Sequence, residues 1–129
     1  MENMGYVIES SKSMDEVSSG LEQTTPEHGF SILAVHNVQE TLTDKGYDSE
    51  PLKIYELCNA GFAHQALSND INVAMFMPCK IVLRTDTDGK TLMTLVRPSM
   101  ISAMLPESGL EKMAQEVEEK LIGIMDAVK

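Results

Sequence analysis

The sequence predicts an α+β fold, with a mainly antiparallel sheet and helices packed on one face. Three observations carry that expectation. Residues 79–85 and 90–97 are apolar runs separated by Asp88-Gly89, a favoured hairpin turn pair. The remaining strand-like runs are joined mostly by segments too short for several parallel crossovers. The C-terminal segment carries Leu110, Met113, Val117, Leu121, Ile124 and Val128 at helical spacing, an apolar stripe that needs a sheet to cover. With 129 residues and no internal repeat or linker, the chain is expected to form a single domain over residues 1–129.

Taken in order, residues 5–10 form a first strand, with Tyr6 and Ile8 on one side and Val7 on the other. Ser13 and Glu16 have capping-box spacing, and Met14, Val17 and Leu21 give the helix that follows an apolar face. Gly20 weakens this helix. Pro26 is expected to interrupt it, with Thr25 capping a fresh turn that Gly29 ends. Residues 30–38 read as a strand whose two parities are both largely apolar: Phe30, Ile32, Ala34 and Val38 against Leu33 and Val35. Cover on both faces, or a subunit contact, explains such a pattern. Residues 39–45 suit a short inserted helix stopped by Gly46, and residues 52–58 the next strand.

Asn59 is placed to cap a helix over residues 61–67, where Phe62, Ala63, Ala66 and Leu67 share a face. Residues 71–77 lead into Pro78, which suits the first position of a strand. After the hairpin, residues 99–106 read as a connector. Ser108 and Glu111 then form a second capping box for the terminal helix.

Composition narrows the function classes. Twenty acidic residues against ten basic ones give a formal charge of −10, a field that repels phosphate backbones and anionic lipid. Neither nucleic-acid nor membrane binding is expected. The N-terminus lacks the basic start and long apolar run of a secretion signal, and no stretch reaches the roughly 20 apolar residues of a membrane span. A cytoplasmic location with reduced cysteines is expected. Ten methionines fill part of an interior in which aromatic residues supply only 5% of the chain. They suit core or subunit-contact filling.

The chemistry-bearing candidates are few. Cys58 ends a strand-like run just before a helix start, where unpaired N–H groups and the positive helix end favour thiolate. Cys79 opens the hairpin 21 residues later, so the two thiols meet only if the fold brings them together. Both are candidate catalytic groups, Cys58 as nucleophile or sulfur acceptor and Cys79 as resolving partner. Two small buried hydrophobes are the competing reading. Asn59 is a candidate ligand-orienting group. His36 shares strand parity with Ile32 and Ala34 and is expected to face the core or an interface, as a candidate ligand-binding residue. Arg97, with Arg84 on the neighbouring hairpin strand, is a candidate anion holder, against surface or interface ion pairing as the alternative. Cys58, Cys79 and His36 leave zinc without a fourth protein ligand, so no metal and no cofactor are expected.

Cys58-Asn59-Ala60 with Ala63 and Leu67, the later Met77-Pro78-Cys79-Lys80-Ile81-Val82, and the Asp88-Gly89-Lys90 turn together resemble the domain-of-unknown-function 302 family from about residue 6 onward. The chain departs from the family pattern at Ala60, at Arg97-Pro98 and at His36. The resemblance implies a TATA-binding-protein-like topology, β-α-β(4)-α with a short inserted helix, and a homodimer. It implies no settled biochemical role, although some family members are linked to sulfur-transfer and redox proteins. The reading at this level is a small protein that takes up a small thiol or sulfur species through a two-cysteine pocket. A non-enzymatic protein-interaction module with structural cysteines is the alternative.

Overall fold

A computed structural model describes residues 4–129. Residues 1–3, part of the expected 1–129 domain and of the N-terminal segment considered above, lie outside the described residues. Five strands form one sheet: β1 (Gly5–Ser10), β2 (Ser31–Asn37), β3 (Leu52–Cys58), β4 (Cys79–Thr85) and β5 (Thr91–Val96). Their order is β1-β5-β4-β3-β2, and every neighbouring pair is antiparallel. The outer strands β1 and β2 are linked through helix α1 (Met14–Glu27). Helix α2 (Val38–Asp44) follows β2, and α3 (Ala60–Asn69) and a 3-10 turn (Ile71–Phe76) lie between β3 and β4. Helices α4 (Pro98–Met104) and α5 (Glu111–Val128) complete the chain. The α+β class and the antiparallel sheet expected from the sequence are present.

The capping box of α1 forms as expected. Ser13 Oγ accepts from the Glu16 N–H, and Glu16 accepts from the Ser13 N–H. That backbone bond lowers the Glu16 pKa first among its causes. Val17 and Leu21 are fully buried against Tyr55, Leu83 and Leu121 in a core shared by α1, α5 and one face of the sheet. The expected break at Pro26 does not occur, and the helix runs through to Glu27. Pro26 stands in the last turn, so it removes one hydrogen bond while Val17, Leu21 and Thr25 keep the helix seated.

Three other expectations change. Ser108 does not cap α5; the helix starts beyond it, with Leu110 at its N-cap and no side-chain cap bond. Gly109, at φ +71°, turns the chain between them, and Ser108 Oγ accepts instead from the Leu110 N–H. The connector over residues 99–106 is largely helix α4, with Pro98 at its first turn, where a missing N–H is harmless. The doubly apolar pattern of residues 30–38 has a local cause in β2. Ile32 pairs with Leu57 and Ala34 with Glu56, which leaves Leu33 as a bulged extra residue. The alternation inverts there. Val35 falls opposite buried Tyr55, and His36 falls opposite Ile54 on the other face.

One row of residues crosses that other face from edge to edge. Val7, Thr94, Val82, Ile54 and His36 are successive cross-strand partners across all five strands. Val7 is 59% exposed and Val96 50%.

Candidate functional site

The C-terminal end of β3 and the N-terminal end of β4 are neighbours, because Leu57 pairs with Cys79. Cys58 is the next residue along β3. The antiparallel register therefore sets the two cysteines one step out of register on adjacent strands, despite 21 residues of chain between them. Both border a cavity of about 100 Å³. Its walls come from Phe62 of α3, Phe76 of the 3-10 turn, Met77 before β4, Ile101 of α4, and Met113 and Val117 of α5. Among the described residues no Asp, Glu, Lys, Arg or His lines it. Its volume is of the order of the ~150 Å³ spaces that admit benzene-sized guests.

The local sequence explains why the cavity forms here. Asn59 caps α3: its Oδ1 accepts from the Phe62 N–H at 3.0 Å, and its Nδ2 donates to the Gly29 carbonyl at 2.8 Å. The first bond turns the chain out of β3 into the helix. The second ties that turn to the residue before Phe30, which also lines the cavity. Asp70 caps the 3-10 turn through the Asn72 N–H, and the Met77–Pro78 peptide is cis. Helix α3 itself buries no residue fully, so the wall it forms is lightly packed.

The two thiols are free and half-buried. Burial pushes the Cys79 thiol up to about 11, helped by the nearby Cys58 and opposed by Lys80. Cys79 is therefore a neutral thiol at ordinary pH. The remaining polar side chains on the wall are already used, since Ser102 Oγ donates to the Ser99 carbonyl at 2.8 Å and Asn59 is engaged at both ends.

Of the residues singled out from the sequence, Cys58, Asn59 and Cys79 are brought together at this cavity, and His36 and Arg97 are not. The bulge at Leu33 sends His36 away from the core, where its Nε2 lies 3.1 Å from Glu56 and its side chain is 54% exposed. The core-facing expectation for His36 is thus corrected. Arg97 lies 3.3 Å from Glu118 and 5.4 Å from the centroid of the Tyr6 ring. Arg84 pairs with Leu92, five residues from Arg97 along β5, so the two guanidinium groups stand at opposite ends of the hairpin.

Glu118 of the terminal helix is 14% exposed and accepts from Arg97, from the Ser99 N–H and from Ser99 Oγ. It ties α4 to α5 behind the cavity. No local pattern announces this, because Arg97 and Ser99 approach it from another element. The same holds for Phe76, Ile101 and Met113, which meet at one space although they come from segments distant in sequence.

Among the described residues no group of three or more His, Cys, Asp or Glu side chains is placed to hold a metal ion, and no helix is long and apolar enough to cross a membrane. Comparison with curated proteins gives no match. The fold is similar to the crystal structure of an uncharacterized conserved protein DUF302 from Bacillus stearothermophilus, with a TM-score of 0.92, 31% sequence identity and 98% of each chain covered. The family model described as "Domain of unknown function DUF302" matches residues 6–128, and the chain belongs to that family.

Proposed function

We propose that the protein binds a small, uncharged thiol or sulfur species in the cavity between Cys58 and Cys79. The observation that carries this reading is that Cys58 and Cys79 both border one apolar space whose lining, among the described residues, includes no charged side chain. A charged ligand would lose its hydration there without finding a counter-charge. Cys58, at the N-terminal end of α3, is the attacking group, and the neutral Cys79 is the slower partner. With a small disulfide, the Cys58 thiolate forms a mixed disulfide as the ligand's other half leaves as a thiolate. Cys79 can then attack the Cys58 sulfur, releasing the bound half as a thiol and closing a Cys58–Cys79 disulfide. Asn59 acts by holding the turn that presents Cys58. His36 and Arg97 lie outside this reading.

The test is intact-mass analysis after exposure to dimethyl disulfide and, separately, to glutathione disulfide, with peptide mapping of the adduct. Faster modification of Cys58 by the small apolar reagent supports the proposal. Equal or slower modification than by the charged one, or no adduct on either cysteine, removes it.

A second reading is a homodimer joined through the open face of the sheet. Val7, in the row that ends at His36, and Val96 on the adjacent strand lie exposed, and the interface would bury them. Sedimentation of the protein and of a Val7→Glu variant tests it: a dimer weakened by the charge is expected, and a monomeric parent at micromolar concentration removes it. The proposed setting is cytoplasmic, which suits two free thiols.

A further inference from the structure

The chain contains three phenylalanines, and all three border the one cavity. They arrive from separate segments: Phe30 just before β2, Phe62 in the first turn of α3 and Phe76 at the end of the 3-10 turn. Asn59 joins two of those segments. Its Oδ1 accepts from the Phe62 N–H, and its Nδ2 donates to the carbonyl of Gly29, the residue before Phe30. Phe30 is buried, and Phe62 packs against the main core. One hydrogen-bonded side chain therefore sets the spacing of the two segments that carry these rings.

An apolar guest needs no donor aimed at it, only a space of its own size walled by apolar atoms. The cavity, at about 100 Å³, is of the order that accepts a single small ring. A polar guest finds no free anchor among the side chains already described, because Asn59 is engaged at both ends and Ser102 Oγ donates to the Ser99 carbonyl. The wall also selects among apolar guests. Aromatic rings gain from edge-to-face and offset contacts beyond the area they bury, and thioether sulfur gains at a ring edge. Met77 and Met113 stand in the same wall as the three phenylalanines. Helix α3, which buries no residue fully, is the part of the wall that can yield to let a guest enter.

We propose that this cavity is a receptor for one small aromatic ring, held without a covalent bond. The inference rests on the cavity of the function proposed above and names the apolar group its ligand carries, but it requires neither thiol to react.

The experiment titrates the reduced, isotope-labelled protein with benzene, which contains no sulfur and forms no disulfide, and follows it by NMR. Saturable binding of one benzene per chain is expected, with nuclear Overhauser contacts from the guest to the rings of Phe30, Phe62 and Phe76. Cyclopentane, a saturated ring of similar size, should bind about two- to tenfold more weakly. Ala66→Leu places a larger side chain in the wall and should abolish binding, with the amide spectrum reporting that the variant is folded. No saturation up to the solubility of benzene, contacts to other residues only, equal or tighter binding of cyclopentane, or undiminished binding to folded Ala66→Leu overturns the proposal. The contacts are measured on the unmodified chain, so misfolding of the variant does not remove the test. Benzene binding without any disulfide adduct would support an aromatic-binding cavity with inert cysteines. A dimethyl disulfide adduct without benzene binding would remove this inference and leave the thiol reading standing.

Discussion

Gly20 of α1 meets Val128 at the end of α5: a Cβ built on Gly20 would lie 2.9 Å from Val128 Cγ1. The glycine that weakens the helix on propensity grounds is thus the point where α1 and α5 approach each other. Both helices lie on the same side of the sheet, and this contact sets how closely they pack.

Replacing Gly20 with alanine sets two effects against each other. Helix propensity favours alanine by about 1 kcal/mol, whereas overpacking a filled contact costs about 1–3 kcal/mol. Val128 is nearly fully buried, so its methyl groups have little room to yield. A net destabilisation of about 1 kcal/mol is expected from urea unfolding. In the Val128→Ala background the same change should become neutral or stabilising. Additive effects in that double-mutant cycle would disprove the contact.

Thr25 offers the opposite case. It is fully buried on α1, and its Oγ1 has no hydrogen-bond partner among the described residues. Thr25→Val replaces the unpaired hydroxyl with a methyl of similar size, and a gain of about 1 kcal/mol is expected. A loss of stability would show that the hydroxyl is satisfied in solution.

Cys79 makes stability depend on pH in the alkaline range. Its folded pKa of about 11 lies above the ordinary value of 9.0, so the folded protein holds the proton that the unfolded chain releases first. The contribution is fully present below about pH 9 and is lost as pH rises through 11, on the order of 2–3 kcal/mol in all. Burial raises the Tyr55 pKa as well, which adds a loss in the same direction. Denaturant midpoints measured from pH 8 to 11 should fall more steeply for the parent than for Cys79→Ala. Parallel curves would rule the effect out.

Asn59 should act through structure. Asn59→Ala removes both the cap of α3 and the bond to Gly29, and a loss of about 2 kcal/mol is expected. Asn59→Asp keeps the accepting oxygen and loses the donor to Gly29, so its cost should be smaller. Hydrogen exchange at the Phe62 amide reports the cap directly, and protection unchanged in the alanine variant would contradict its assignment.

Glu118 joins Arg97 and Ser99 to α5 from a largely buried position. Glu118→Ala leaves those donors unpaired, and a loss of about 2 kcal/mol is expected, with Glu118→Gln intermediate. Thermal unfolding at low and high salt separates the two contributions, because only the ionic part is screened.

The amino-acid sequence determined the elements whose signals are local. The capping box at Ser13 and Glu16, the Asn59 cap, the Asp88-Gly89 turn and the apolar stripe of the terminal helix each lie within one or two turns of chain, and each has its structural counterpart. Short connections and alternating strands were enough to set the α+β class. Features that depend on partners distant in sequence were decided by the tertiary structure. The Leu33 bulge, visible only against β3, reversed the facing of His36, and packing kept α1 intact through Pro26. The nearness of Cys58 and Cys79 follows from the Leu57–Cys79 register, and the cavity beside them exists only where α3, the 3-10 turn, α4 and α5 meet. Caps and turns depend on neighbours a few bonds away, whereas register and enclosure depend on which strand or helix is on the other side.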